Sequence, residues 1–214
     1  DVYKRQLALC AKELSAALAD ARIDKIFEPT RDEVVLNLRT RTDNPRLFLS
    51  ARSGSARACL TKETFENPQT PPSFCMLLRK HFTGGRLLEV RTLPDERILF
   101  FDFQCTNEMG DTVVNTMAAE LMGRYSNLVL VQTKNPANPA AEGKIIDALK
   151  RVDFEDSEVR QLLPGLAYTL PPQPQKASFL GVSAAGIVAA VSQKELPVAE
   201  ALIKTTGGVG PVVC

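Results

Sequence analysis

Residues that could contact an anionic partner gather in three short clusters, the first of which is Arg79-Lys80-His81. Two consecutive cations on a predicted helix could contact phosphate oxygens, which receive most of the hydrogen bonds in nucleic-acid complexes. The alternative is a solvated helix face above a buried apolar stripe, and the pattern on its own favours it. Arg79 and Lys80 are therefore predicted as possible RNA contacts.

The second cluster is Pro94-Asp95-Glu96-Arg97, a tight turn that precedes an aromatic-rich segment. A carboxylate next to an arginine can form a local ion pair. It can also orient the guanidinium so that its planar fork reads a base edge or a phosphate. The spacing leaves both interpretations open.

The third cluster is Gly123-Arg124-Tyr125-Ser126-Asn127. Gly123 permits a positive φ angle or a close approach of the backbone. Arg124 and Tyr125 combine a cation with a ring that can stack on a base. The alternative is a bulge between strands, in which Ser126 and Asn127 satisfy the hydrogen bonds of the turn.

Patterns for catalysis, metal binding and cofactor binding are missing from the sequence. The single histidine, His81, falls on the apolar stripe of a predicted helix, so neither a histidine metal cluster nor a Ser-His-Asp triad is predicted. There is no nucleophile-elbow, phosphate-loop or dinucleotide-binding motif. The five cysteines contain no C-x-x-C pair. The sequence therefore predicts a binding protein with no catalytic residue, metal or cofactor, and not an enzyme.

Length and composition are those of a globular protein, with 214 residues, 44% hydrophobic and 24% charged. The net charge of +1 does not indicate a polyanion partner for the whole surface, so any nucleic-acid contact must come from local patches. No apolar run approaches the ~18 residues of a membrane helix. Lys12 and Glu13 interrupt the first apolar segment, so no signal peptide is predicted. We expect a cytoplasmic protein with reduced thiols and no membrane partner.

Apolar periodicity predicts two helices and eight strands that could position these clusters. The predicted helices are residues 7–20 and the segment between Pro71-Pro72 and Gly84-Gly85. The predicted strands are residues 33–39, 46–51, 56–61, 86–91, 97–104, 113–121, 128–132 and 144–149. Residues 117–122 could equally form a helix. Residues 97–104 are apolar on both faces, which is typical of a strand packed on two sides.

Pro171-Pro172-Gln173-Pro174 indicates a linker, and the composition beyond it shifts to Ala, Val and Leu at helical spacing. We place a boundary near Gln175, which divides the chain into residues 1–174 and 175–214. The second part is predicted to contain helices over residues 184–191 and 198–204. Its Gly208-Val209-Gly210 segment resembles the hairpin of a helix-hairpin-helix element.

The order and spacing of several motifs resemble the N-terminal domain of the NFACT family, which includes the RqcH and NEMF proteins and the proteins long labelled fibronectin-binding protein A. The strongest resemblance is in the segment FENPQTPPSFCMLLRKH, residues 65–81. It continues through the short motifs GGR at 84–86, ERI at 96–98, GD at 110–111, MGRYSN at 122–127 and LPG at 163–165. The resemblance extends from about residue 7 to residue 172.

The resemblance implies an α+β fold with a β-sandwich-like core and flanking helices, similar to the N-terminal domain of formamidopyrimidine-type DNA glycosylases. A short α-helical segment of helix-hairpin-helix type follows. The family's coiled coil and RNA-binding domain have no counterpart here, and residues 1–6 do not match the family's Phe-Asp-Gly start. We therefore expect the chain to be a fragment.

The resemblance also implies a role in ribosome quality control. Such proteins bind a 50S subunit that carries a stalled peptidyl-tRNA, recruit alanyl-tRNA and promote template-free alanine tailing of the nascent chain. They are non-enzymatic, because the ribosome supplies the peptidyl transfer.

The family's acidic-Arg pair for tRNA recognition falls on Glu96 and Arg97, although aspartate is usual at the first position and Asp95 could take the acidic role. Arg124 is expected as a further tRNA contact. Tyr125, where the family often has histidine, and Asn127 join Arg79 and Lys80 as possible RNA contacts.

Two alternatives come from other classes of protein. A DNA glycosylase is suggested by the implied fold, but those enzymes use an N-terminal Pro-Glu, and Asp1-Val2 does not match. A fibronectin-binding surface adhesin is suggested by the family's older label. The missing signal-peptide pattern argues against it.

Overall fold

The structure is a computed structural model that describes residues 2–93, 96–133, 143–172, 177–178 and 183–207. Nine strands form one antiparallel sheet in the order β4-β3-β2-β1-β5-β6-β7-β8-β9. The strands are β1 Arg22–Thr30, β2 Glu33–Arg39, β3 Arg46–Ser50, β4 Arg57–Thr61, β5 Arg86–Arg91, β6 Ile98–Thr106, β7 Thr112–Glu120, β8 Asn127–Thr133 and β9 Lys144–Ala148. The helices of the described ranges are α1 Val2–Ala17, α2 Ser73–Phe82, α3 Ala184–Ser192 and α4 Val198–Thr205. Two short strands, β10 Ala177–Ser178 and β11 Thr206–Gly207, pair in parallel.

The sheet curls so that its two halves face each other. In the described ranges, strands β1 and β5 are registered through a single residue pair, Arg22 with Arg86, which makes a narrow junction between the halves. Lys150 lies just after β9, in one half of the sheet, and contacts the other half. Its Nζ atom is 2.7 Å from the carbonyl oxygen of Ala51 and 2.9 Å from Asp32 Oδ1. This closure produces the sandwich-like α+β core that the sequence predicts.

The main core lies between the two halves and is closed by α1 and α2. It takes alternate residues of the strands, such as Leu36 of β2 and Phe103 of β6, both fully buried. Helix α1 contributes Leu14, and Leu18 joins it from the position just after the end of the helix. Helix α2 contributes Phe82, whose ring meets that of Phe103 edge-to-face at 5.2 Å between centroids.

A second apolar cluster covers the opposite face of β6 to β9. Phe100 of β6 lies in it, so this strand is buried on both faces, as its sequence predicts. The covering segment supplies Leu162 and Tyr168. One carboxylate, that of Glu120, is buried at the edge of this cluster and accepts hydrogen bonds from Arg160 at 2.6 and 3.0 Å and from the Tyr168 hydroxyl at 2.8 Å.

Most predicted elements appear near their predicted positions, with three differences. Residues 117–120 belong to β7 and are not helical. Helix α1 begins at Val2 and ends at Ala17, earlier than predicted. Strand β1 was not predicted at all.

Helices α3 and α4 occupy the predicted ranges and contact each other. The predicted boundary near Gln175 and the predicted Gly208-Val209-Gly210 hairpin lie outside the described residues, so the division at residue 174 stays a prediction. No helix in the part of the chain that the structure describes is long and apolar enough to cross a membrane.

Candidate nucleic-acid interface

A surface cavity of about 380 Å³ opens where the curled sheet brings three segments together. These segments are the N-terminal half of α1, the turn between β3 and β4, and the ends of β6 and β7 that adjoin each other. The lining residues are Gln6, Leu7, Cys10, Gly54, Ala56, Arg57, Ala58, Arg97, Leu99, Leu121 and Gly123. Of these described residues, two are charged, both are arginines, and none is acidic. The cavity therefore combines an apolar floor with positive charge.

Arg97 lies immediately before β6 and is half-buried in the cavity wall. Its carbonyl oxygen accepts a hydrogen bond of 2.8 Å from the backbone N–H of Leu121, just after β7. The neighbouring strand thus fixes the backbone from which the guanidinium projects. The pairing of Ile98 with Glu120 continues this register into the sheet.

Arg57, at the start of β4, is the second cation of the cavity. Its guanidinium carbon lies 4.9 Å from the centroid of the Phe48 ring, and its Nη1 atom donates to the carbonyl oxygen of Ser55 at 3.1 Å. Phe48 is in turn stacked on Phe65 at 5.1 Å between centroids. These contacts hold an exposed cation in one orientation, which lowers the entropy cost of binding an anion.

A short 3-10 turn next to the cavity carries the third predicted cluster. Gly123 lines the cavity with a φ of +57°, a conformation that favours glycine. Arg124 stacks on the adjacent Tyr125 ring at 4.6 Å and donates from Nη2 to its hydroxyl oxygen at 2.5 Å. The Tyr125 side chain is 66% exposed. The turn therefore offers a cation and an open aromatic face beside the cavity.

Glu96 occupies a different environment from Arg97, although the two are adjacent. Glu96 is only 6% exposed, so its carboxylate offers little surface to a large ligand. Asp95, predicted as an alternative acidic contact, lies outside the described residues. The geometry favours a supporting position for Glu96 and a contacting position for Arg97.

Arg79 and Lys80 point to different surroundings. The Arg79 Nε atom donates to the carbonyl oxygen of Ile26 at 3.0 Å, and its guanidinium carbon lies 5.8 Å from the Phe27 ring centroid. Lys80 is exposed, with its Nζ atom 3.0 Å from Glu108 Oε1. Arg79 thus joins α2 to β1, whereas Lys80 faces solvent, and their RNA contacts stay predictions.

Asn127 is buried at the start of β8, with 3% exposure. Its Nδ2 atom donates to the carbonyl oxygen of Lys150 at 2.7 Å, and its Oδ1 atom accepts from the Lys150 N–H at 3.0 Å. The side chain therefore joins β8 to the segment after β9. Of the two residues expected to satisfy the turn, Ser126 does so by accepting a hydrogen bond from the Met122 N–H at 2.9 Å. An RNA contact by Asn127 stays a prediction.

Sequence patterns did not identify the α1 and β4 walls of the cavity. Cys10 lies on the α1 wall, and its Sγ atom contacts the carbonyl oxygen of Ala58 at 3.8 Å. Burial, followed by the negative charge of Glu13, raises the pKa of the Cys10 thiol. No cluster of three or more His, Cys, Asp or Glu residues suited to a metal ion occurs in the described ranges.

Together, the curled sheet and its helices define an α+β domain with a surface cavity that Arg57 and Arg97 line. Residues 6–214 match the family described as NFACT N-terminal and middle domains, and the chain belongs to this family. The resemblance noted in the sequence is thereby confirmed.

Curated relatives of this chain carry the name Rqc2 homolog RqcH. The protein of Bacillus subtilis is 36% identical over 200 residues, which cover 94% of this chain and 34% of the relative. The protein of Streptococcus suis is 38% identical over 184 residues, covering 86% of this chain and 32% of the relative. The chain thus spans about a third of the length of the curated relatives it matches.

Solved structures support the fold. The N-terminal part of the fibronectin/fibrinogen-binding protein of Streptococcus suis is 36% identical with a TM-score of 0.76, covering 95% of this chain and 74% of that one. The N-terminal domain of fibronectin-binding protein PavA of Streptococcus pneumoniae is 31% identical with a TM-score of 0.79, covering 98% and 76%.

Proposed function

We propose that this chain is the tRNA-positioning part of a ribosome quality-control factor. In this role it binds a tRNA, expected to be alanyl-tRNA, at a 50S subunit that retains a stalled peptidyl-tRNA, and so promotes template-free alanine tailing. Family membership and the RqcH name of two relatives support the general role. The observation that carries the tRNA contact is the cavity lined by Arg57 and Arg97, with no acidic side chain among the described residues of its lining.

The chemistry of the cavity suits an unpaired nucleotide of a folded RNA. Single-stranded loops expose base faces to apolar and aromatic side chains, while arginine forks bind the phosphates. Leu7 and Leu121, which are half-buried, supply an apolar floor for a base. Arg57 and Arg97 both line the cavity, and their guanidinium groups can pair with phosphate oxygens.

We assign the contacts in an order that follows exposure and position. Arg97 is the principal contact because it lines the cavity and is anchored by β7. Arg124 and Tyr125 form the second contact, in which the exposed ring stacks on a neighbouring base. Glu96 acts as a positioning residue for the turn that carries Arg97.

The proposed role is one of binding and positioning, with peptidyl transfer left to the ribosome. Cys10 is the thiol of the cavity lining, and its raised pKa keeps it a neutral, weakly nucleophilic group near pH 7. We also propose a cytoplasmic location, because the proposed partners are the 50S subunit and tRNA. The names of the matched curated relatives do not favour the glycosylase alternative, and the adhesin alternative is carried only by the names of structural relatives.

The decisive experiment compares tRNA affinity of the wild-type chain with that of Arg97→Ala. Loss of one guanidinium contact is expected to cost about 1–3 kcal/mol, which weakens binding roughly 5- to 150-fold. Lys144→Gln serves as the matched control, because it removes one exposed cation from β9, outside the cavity lining. A folded Arg97→Ala chain with wild-type tRNA affinity would contradict the site assignment.

The ribosomal part of the proposal needs the full-length protein. We expect it to co-sediment with 50S subunits that carry peptidyl-tRNA, and sequencing of the additional bound tRNA should identify an alanine acceptor. Sedimentation with empty and obstructed 50S subunits to the same extent would contradict recognition of a stalled complex. Enrichment of other tRNAs would contradict the alanyl-tRNA assignment alone.

A further inference from the structure

Three arginines occupy directly opposed positions on three adjacent strands. Arg22 of β1 is paired with Arg39 of β2 on one side and with Arg86 of β5 on the other. Directly opposed residues of antiparallel strands project from the same face of the sheet. We call the set of Arg39, Arg22 and Arg86 the arginine row.

The row lies on the outer face of the sheet, away from the main core. The residues that follow Arg22 and Arg86 in sequence, Ile23 and Leu87, are both buried in that core. Because side chains alternate between the faces of a strand, the arginines project outward. Arg22 is exposed, and the side chains of Arg39 and Arg86 are 68% and 40% exposed.

The charges of the row are unevenly compensated within the protein. Arg86 donates to Asp20 Oδ1 at 2.9 Å and to Gln104 Oε1 at 2.8 Å. Arg39 has only a long contact of 3.7 Å with Asp24. The side chain of Arg22, at the centre, makes no hydrogen bond or ion pair within the part of the chain that the structure describes.

Like charges directly opposite each other destabilise a sheet, so this arrangement costs stability in the absence of an anion. An anion between the guanidinium groups would relieve the repulsion and would satisfy the planar fork of Arg22. Neighbouring strands are about 4.8 Å apart, so the row extends over about 10 Å. Phosphates on one nucleic-acid strand recur about every 3.4 Å along a helix axis, so the row can face more than one phosphate.

The row is separate from the cavity of the candidate interface. The cavity meets α1 at Gln6, Leu7 and Cys10, whereas the row begins after the end of that helix at Ala17. The helical residues between Cys10 and Ala17 alone account for about 10 Å. One RNA molecule of tRNA size can reach both surfaces.

We infer that the arginine row is a second RNA-binding surface, which takes the phosphate backbone without reading bases. The choice of RNA as the ligand rests on the proposed function. The row should supply affinity that depends on salt concentration, while the cavity orients the nucleotide. This division follows because phosphate contacts position a complex and carry no sequence information of their own.

The test measures tRNA affinity as a function of salt concentration for wild type, Arg22→Gln, Arg97→Ala and the Lys144→Gln control. Each phosphate contact on a single strand contributes about 0.7 to the slope of log K against log salt, and about 0.9 on a duplex. We expect Arg22→Gln to make this negative slope less steep by that amount, while Lys144→Gln keeps the wild-type slope. Thermal unfolding of Arg22→Gln should occur at or above the wild-type temperature, because a repulsion is removed.

The outcomes for the two variants distinguish the inference from the proposed function. If Arg22→Gln keeps the slope of the control while Arg97→Ala binds weakly, the arginine row is refuted and the cavity assignment stands. If Arg22→Gln lowers the slope and Arg97→Ala binds normally, the row stands and the cavity assignment falls. If the wild-type chain does not bind tRNA, both fall. Loss of binding to phosphatidylglycerol vesicles by Arg22→Gln, with an unchanged tRNA slope, would assign the row to lipid phosphates and overturn the inference.

Discussion

The buried group of Glu120, Arg160 and Tyr168 gives the sharpest prediction about stability. The Glu120 side chain is 1% exposed and that of Arg160 is 10% exposed. Arg160 binds both carboxylate oxygens and also donates from Nε to the carbonyl oxygen of Thr169 at 2.8 Å. Glu120 is the last residue of β7, so the group lies where the chain leaves this strand and enters the turn that carries Arg124.

We predict that Arg160→Leu lowers the free energy of unfolding by about 3–5 kcal/mol, because it leaves a buried carboxylate without its cation. Tyr168→Phe removes one hydrogen bond to a charged group and should cost about 1.5–3 kcal/mol. Urea denaturation followed by circular dichroism measures both values. A cost below about 1 kcal/mol for Arg160→Leu, the level of a surface ion pair, would refute the reasoning.

Tyr168 should also make the free energy of unfolding depend on pH. Burial, followed by the negative charge of Glu120, raises the pKa of Tyr168 well above its ordinary value of 10.0. The unfolded chain therefore loses this proton first as the pH rises above about 10, while the folded chain retains it. The contribution of Tyr168 to stability is complete below pH 10 and declines above it, by about 1.4 kcal/mol per pH unit. Tyr168→Phe should remove that part of the alkaline decline, and an unchanged decline would contradict a buried neutral phenol.

Two further predictions concern the surface. Tyr125→Ala should weaken tRNA binding by about 1–3 kcal/mol through lost base stacking, whereas Tyr125→Phe should retain most of the affinity; equal losses in filter binding would favour a role for the hydroxyl. Burial, followed by the charge of Lys80, lowers the pKa of His81, whose ordinary value is 6.5. The unfolded chain therefore takes up a proton first as the pH falls through 6.5, so the His81 contribution is present above that pH and is lost below it. An NMR titration midpoint for the His81 ring at or above 6.5 would contradict this.

The sequence predicted strands best where apolar periodicity was regular. Strand β2 was predicted over the residues that it occupies, and its alternate residues Val34, Leu36 and Leu38 lie in the main core. Strand β1 was missed because it carries Asp24, Lys25 and Pro29, and because a register shift between Ile23 and Lys25 breaks the alternation. The helix alternative for residues 117–122 is excluded up to residue 120 by the pairing of β7 with both β6 and β8.

The candidate site was only partly predictable because its walls come from distant parts of the chain. Arg97 and Arg124 belong to motifs with recognisable spacing. Arg57 stands between two alanines and belongs to no motif, so only the curled sheet reveals that it shares a cavity with Arg97. Asn127 has a residue type suited to RNA contacts, but its position beside Lys150 determines its burial, and sequence spacing does not encode that position.

The closure of the sheet connects stability to the site. The cavity exists because the turn before β4 meets the ends of β6 and β7, although the two arginines that line it are far apart in sequence. That encounter depends on the narrow junction between β1 and β5 and on Lys150, which bonds to Ala51 and Asp32 beyond the junction. The like-charged arginine row lies at the same junction, and directly opposed like charges disfavour strand pairing. An RNA that neutralises the row would therefore also stabilise the curl that holds Arg57 near Arg97, so the two surfaces should bind one ligand cooperatively.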